Sequence, residues 1–172
     1  MTISCLIFLN YSGGGLNQVT TLHQCTLNGQ WSGTSDNVGE LQLANLTIDV
    51  SAARNFDKPG TGTSPEELLL AAAASCYLIT FVTLLSNRHI PYKKIQLQSI
   101  GFVEQDSGLR FDRIEHHPTV YVEQGVPEDT VVLLANHAEH ACMVSSALRG
   151  NVDVVVHPKL AFMETVSKGN QV

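Results

Sequence analysis

The sequence predicts an α+β domain in which a long antiparallel sheet packs on central helices. Three observations carry that prediction. A nearly continuous apolar stretch, Leu68 to Leu85, opens with helix-start residues. Alternating, β-branched runs lie on both sides of it. Along the chain the elements read strand–strand–helix–three strands–two helices–strand, with strands grouped rather than strictly alternating with helices.

Residues 1–22 are set apart as an unassigned N-terminal extension: Ser12-Gly-Gly-Gly15 reads as a flexible joint, and the stretch before it as an upstream extension or an added strand. The domain proper spans 23–172. His23–Leu27 and Leu41–Val50 read as strands, and Asn28-Gly29 as a hairpin turn with Trp31 opening the return strand. Lys58-Pro-Gly-Thr-Gly-Thr63 reads as a loop. Ser64 then suits an N-cap, Pro65 the first helical position and Glu67 the third, a capping box. The helix ends by Asn87-Arg-His-Ile-Pro91, because proline disfavours helical backbone in the residue before it. A helix apolar on most faces must be wrapped by sheet or by a partner chain. Ile95–Ile100 alternates as a strand, and Asp106-Ser-Gly108 makes a turn. Leu109–Glu115 and Thr119–Glu123 are further strands. Pro127-Glu-Asp129 opens a helix to about Ala141. A shorter helical stretch follows to Leu148, with Gly150 just past its end, and then a strand, Val152–Val156.

At 172 residues the chain suits one domain or one intertwined unit, and its 44 % hydrophobic content is enough for a core. A net charge of −6 with scattered basic residues argues against a nucleic-acid partner. Ser75, Thr80 and Thr83 interrupt the apolar stretch, and its first half is rich in alanine. Those features read as a buried helix rather than a membrane span, although the length is borderline for a span. The N-terminus lacks the basic lead of a signal peptide, which points to the cytosol, where structural disulfides are uncommon.

That compartment sharpens the question of what four cysteines do. Cys76 lies inside the first helix, after Ala71-Ala-Ala-Ala-Ser75, where small side chains permit close approach of another element. Cys142 opens a short helix, where backbone N–H groups favour a thiolate. By position alone, Cys76 reads rather as a small core hydrophobe, and Cys142 equally as one. His137, His140 and Cys142 form H-x-x-H-x-C, but no further ligand pair completes a zinc set; His116-His117 sit on a different strand. A Cys–His hydrolase dyad is disfavoured, since His140 at i−2 points away from Cys142 on a helix. Helix-dipole and capping roles explain Glu67 and leave Glu66 less explained. Arg54, in Ser51-Ala-Ala-Arg-Asn-Phe56, reads by default as solvated, and Cys5 and Cys25 carry no assigned role.

Two blocks combine into a resemblance. Gly62-Thr-Ser-Pro-Glu-Glu-Leu-Leu-Leu-Ala-Ala-Ala-Ala-Ser-Cys76 resembles the Pro-Glu block and first cysteine of the OsmC/Ohr family of organic hydroperoxide reductases. His140-Ala-Cys-Met-Val-Ser-Ser-Ala-Leu-Arg-Gly-Asn151 resembles that family's second-cysteine block. The likeness covers roughly 24–156. Ser64 stands where the family usually has asparagine, and Met143 where it commonly has proline. The resemblance implies an intertwined homodimer with sheets wrapped around two central helices. It implies Cys76 as peroxidatic cysteine, Cys142 as resolving cysteine and Glu66 as the active-site glutamate. Arg54 fits the arginine of OsmC-like members; no arginine stands near Gly29-Gln-Trp31, where Ohr-like members place it.

The implied chemistry is reduction of organic hydroperoxides through a Cys76 sulfenate and a Cys76–Cys142 disulfide, reopened by an external dithiol such as a protein-bound lipoyl group. It requires no bound cofactor or metal. Redox sensing or thiol carriage without efficient turnover is the other reading. Helix geometry adds one constraint. Glu66 and Cys76 are ten residues apart. On a straight helix that is ~15 Å along the axis. A site containing both then needs Glu66, with Arg54, from the second chain of a homodimer.

Overall fold

The computed structural model describes residues 8–9, 21–52, 61–106 and 108–162. It forms two compact units, 1–65 and 66–172. Arg54 and Cys5 lie outside the described residues, as does the first half of the loop expected before Ser64.

In the first unit, β1 (Phe8–Leu9) pairs antiparallel with β2 (Thr21–Leu22). A separate antiparallel sheet holds β3 (Asn28–Gln30), β4 (Gly39–Gln42) and β5 (Thr47–Val50). This departs from the sequence expectation in three places, the first being that His23–Leu27, expected as a strand, forms none and only joins β2 to β3. Asn28-Gly29 is strand, not turn, and the reversal falls at 31–38. There the Trp31 indole donates to the Thr34 carbonyl at 3.0 Å, and Asn37 Oδ1 accepts from the Thr34 N–H at 2.9 Å. The Trp31 ring lies over Gly39 so closely that a Cβ there would collide with it. Leu41–Val50 is itself a hairpin, closed by the Leu43 N–H to Leu46 carbonyl bond at 2.8 Å across Ala44-Asn45. Beside β5, Ser51 Oγ donates to the Gly62 carbonyl (3.2 Å) and accepts from its N–H (3.1 Å), so the chain entering the long helix runs parallel along the strand end.

The second unit is built on α1 (Pro65–Asn87), which runs unbroken through Cys76. His89 stops it in the left-handed region, at φ 53°. β6 (Lys94–Gln105) and β7 (Leu109–Val122) follow as a long antiparallel hairpin, then α2 (Glu128–Ala141) and α3 (Met143–Leu148). β8 (Asp153–Val156) and β9 (Lys159–Phe162) both join the far edge of β7 in parallel. The sheet is therefore mixed rather than wholly antiparallel, because α2 and α3 form a crossover that returns the chain in the direction of β7.

β7 also joins what the sequence reads as two strands separated at Pro118. Residues two apart in a strand turn their peptide groups to the same side. The His116 carbonyl faces β8, accepting from the His157 N–H at 2.8 Å. The missing N–H of Pro118 thus falls at the break between β8 and β9, and the strand loses no hydrogen bond there.

Ala73, Tyr77, Phe81 and Leu85 form one fully buried stripe of α1, four residues apart. The last three meet Val120 and Val122 of β7 and Val131, Leu134, Ala135 and Ala138 of α2. Ala73 meets Ile114 and Val152, as small side chains permit. Each fully buried large apolar side chain contributes roughly 1.5–3 kcal/mol. The remaining face of α1 stays open, with Ile79 68 % exposed. By length and hydropathy alone α1 could cross a membrane. Its packing on β7 and α2 makes it the central helix of this unit.

Candidate functional site: a thiol pair at the helix junction

Two local features bring Cys76 and Cys142 together. Cys76 lies mid-helix on α1, one residue before buried Tyr77. Cys142 is the joint between α2 and α3: extended (φ −70°, ψ 124°), it caps α3, and its sulfur accepts from the Ser145 N–H at 3.5 Å. The two sulfurs lie 2.9 Å apart, with the Cys142 thiol donating to Cys76, and both cysteines are free. Cys142 is fully buried, whereas Cys76 keeps partial access to solvent.

Their electrostatics differ in sign. Burial pushes the Cys76 thiol up, but the Cys142 thiol, the Val144 and Met143 amides and the Thr80 hydroxyl together outweigh it, leaving Cys76 below its ordinary value. Burial, then the proton it shares with Cys76, pushes Cys142 up. Such an arrangement favours the thiolate on Cys76 over one on Cys142.

The other sequence-derived candidates are placed differently. Glu66 sits at the start of α1, ten residues before Cys76 on the same unbroken helix. That is ~15 Å along the axis. Its Oε2 is buried without a partner among the described residues. Arg54 is not among those residues. His137 and His140 are exposed, and His140 Nδ1 lies 3.3 Å from Glu139, so neither a Cys–His dyad nor the H-x-x-H-x-C ligand set forms. Cys25, in the first unit, is free and exposed.

Sequence reading missed Thr80 and the α3 amides. Thr80 is one turn beyond Cys76 on the same helix face, a signal that i,i+4 spacing could have supplied. Nothing local marks the α3 amides as partners of Cys76, because α3 meets α1 only through the tertiary fold. Tyr77, next to Cys76, stacks on the buried His116 ring at 4.6 Å. Burial and Glu139 hold the Tyr77 phenol well above its ordinary value. Burial, with His117 nearby, pushes His116 down to about 4, so its imidazole is neutral.

Fold and thiol pair together define a dithiol α+β protein of a recognisable class. Residues 57–157 match the family described as OsmC-like protein, and the chain belongs to that family. It is 35 % identical over 136 residues to YmaD of Bacillus subtilis, described as uncharacterized, across 77 % of this chain and 91 % of that one. Among solved structures, an organic hydroperoxide resistance protein OsmC from Legionella pneumophila superposes with a TM-score of 0.63 at 22 % identity, covering 78 % of this chain and 96 % of that one. OhrB of Bacillus subtilis, an organic hydroperoxide resistance protein, gives 0.62 at 20 % identity, covering 79 % and 98 %. At such identities these two likenesses speak for the fold.

Proposed function

We propose that this chain is a cytoplasmic thiol redox protein that works by reversible closure of Cys76 and Cys142 to a disulfide, with Cys76 as the attacking thiolate. The observation that carries the reading is the 2.9 Å approach of two free sulfurs whose acidities are pushed in opposite directions. An organic hydroperoxide is the oxidant class that the names of the structural relatives suggest. The Cys76 sulfur attacks one peroxide oxygen, the O–O bond breaks, and the leaving alkoxide takes a proton to become an alcohol. Cys76 is then a sulfenic acid. Cys142 attacks it, water leaves, and the disulfide forms. An external dithiol, such as a protein-bound lipoyl group, restores both thiols by exchange.

Efficient turnover asks for more than the pair. A buried carboxylate oxygen without a partner calls for a cation. We assign Arg54 to it, in a bidentate pair that Glu66 orients. Because α1 separates Glu66 from its own Cys76, that pair would serve the thiols of a second chain, giving a homodimer with shared sites. The open apolar face of α1 supports such a partner.

A second reading, redox sensing or thiol carriage without efficient peroxide turnover, is favoured by one observation. Among the described residues, amides, a hydroxyl and a thiol lower Cys76, and no cation does. Peroxide consumption with a lipoyl dithiol as reductant separates the two. Either reading requires one equivalent of organic hydroperoxide to close the Cys76–Cys142 disulfide. The peroxidase reading requires many turnovers, abolished by Cys76→Ser and strongly reduced by Arg54→Ala. Closure without turnover leaves the sensor or carrier, and no Cys76–Cys142 disulfide under any oxidant overturns both.

A further inference from the structure

Away from the thiol pair, the other face of β7 carries a second group of chemistry-bearing side chains. Ile114, His116, Pro118, Val120 and Val122 point into the core. Glu115 and His117, in alternation with them, share the opposite face. His157 follows β8 directly. The parallel register Glu115↔Val155 and His116↔Val156 carries it next to His117. Their rings stack with centroids 4.9 Å apart and planes at 21°. Glu115 Oε2 lies 3.3 Å from His117 Nε2. One donor atom from each of Glu115, His117 and His157 lies within 4.8 Å of the other two.

We propose that Glu115, His117 and His157 bind one divalent transition-metal ion of the zinc class, at a site separate from the thiol pair. Two imidazoles and a carboxylate are a borderline donor set suited to Zn2+, with a fourth position left to water. At bond lengths of ~2.0–2.1 Å, tetrahedral ligands stand ~3.4 Å from one another. The Glu115–His117 separation of 3.3 Å already meets that spacing. The third donor, His157, is exposed and lies with the other two inside the 4.8 Å span.

The carboxylate is also held from behind. Arg113 Nε donates to Glu115 Oε1 at 2.9 Å, and its guanidinium lies 3.7 Å over the Phe102 ring. A carboxylate fixed through one oxygen presents the other in a set direction, as the outer partners of metal ligands commonly do. The Arg113 charge opposes a cation nearby, but Asp112 offsets it from 3.1 Å. The position is mechanically distinctive too. The β7–β8 ladder stops at His157 and pairing resumes with β9 at Thr119↔Lys159. Pro118 and Pro158 supply no N–H in between. A bound ion would clasp the strands where backbone bonding lapses.

The test is Zn2+ titration of tag-free protein by calorimetry, repeated with Co2+ to read the ligand type by absorption. Expected is one ion per chain at micromolar or tighter affinity, with a Co2+ spectrum free of thiolate charge-transfer bands. His157→Ala, His117→Ala and Glu115→Gln should each weaken binding by about tenfold or more. His140→Ala, an exposed histidine elsewhere, should leave binding unchanged. Zn2+ should raise the melting temperature of the wild type and not that of His157→Ala; this exposed position should tolerate the change, which keeps misfolding from mimicking the result. Unchanged affinity in His157→Ala, binding that disappears in a Cys76→Ser/Cys142→Ser protein, or no saturable binding in the micromolar range would each show the trio to be only an ion pair beside a ring stack.

Discussion

At the scale of single residues, two cysteines of the same helical junction are made chemically unequal by their hydrogen bonds. Cys76 accepts and Cys142 donates: the shared proton is the largest of the effects that lower Cys76, and it adds to the burial that raises Cys142. Iodoacetamide should therefore alkylate Cys76 first at neutral pH, with a pH midpoint below that of an ordinary cysteine. In Cys142→Ala that donor is lost and burial remains, so the Cys76 midpoint should rise; a midpoint that stays put would mean the thiol contact is not what acidifies Cys76. The two positions should also fail differently with peroxide. Cys76→Ser should give no reaction. Cys142→Ser should react once and then stall or overoxidise, which rapid-mix kinetics and intact mass measure directly. Equal loss of the initial burst in both variants would contradict the division of roles.

At the scale of elements, α1 sets both stability and site. Its buried stripe joins the sheet to α2, and Phe81 lies fully inside it. Phe81→Ala should cost about 3–5 kcal/mol, read as a lower urea midpoint at an unchanged slope. Surface substitutions on the same helix, away from any partner, should stay within about 0.5 kcal/mol. The straightness of α1 has a functional consequence as well: it fixes Glu66 about three turns from Cys76, beyond reach of any side chain.

At the scale of the whole molecule, the proposed second chain would cover a helix that is apolar on nearly all sides but buried along one stripe. The protein should sediment as a dimer, and Ile79→Glu, on the open face, should shift it toward monomer. If sites are shared, mixing Cys76→Ser subunits with Glu66→Ala subunits should restore activity that both parent homodimers lack or hold only weakly. A verified mixed dimer without recovery would exclude the shared site and leave Glu66 with a local role at the helix start.

Much of this was legible in the chain because it is local. Ser64, Pro65 and Glu67 mark where α1 begins, the Asn87–Pro91 segment marks where it ends, and Gly150, at φ 87°, stands just past α3 as expected. The cysteines were legible only as parts of two motifs, since each alone reads as core. The turn in the first sheet is not where Asn28-Gly29 predicts it: the reversal at 31–38 seats Trp31 on Gly39, a contact that only the paired strands create. β9 and the parallel pairing were not legible, nor was the passage of β7 through Pro118, because the side to which a missing N–H points matters only once the neighbouring strands are placed. His116-His117 shows the same division. The sequence by itself determined two adjacent imidazoles, the helix around Cys76 and the motif around Cys142. Only the tertiary structure sent His116 into the core and His117 toward His157, and only it carried Cys142 across 66 residues to 2.9 Å from Cys76. Strand alternation and helix capping act over a few residues, whereas a contact between distant segments exists only when the whole core has closed around them.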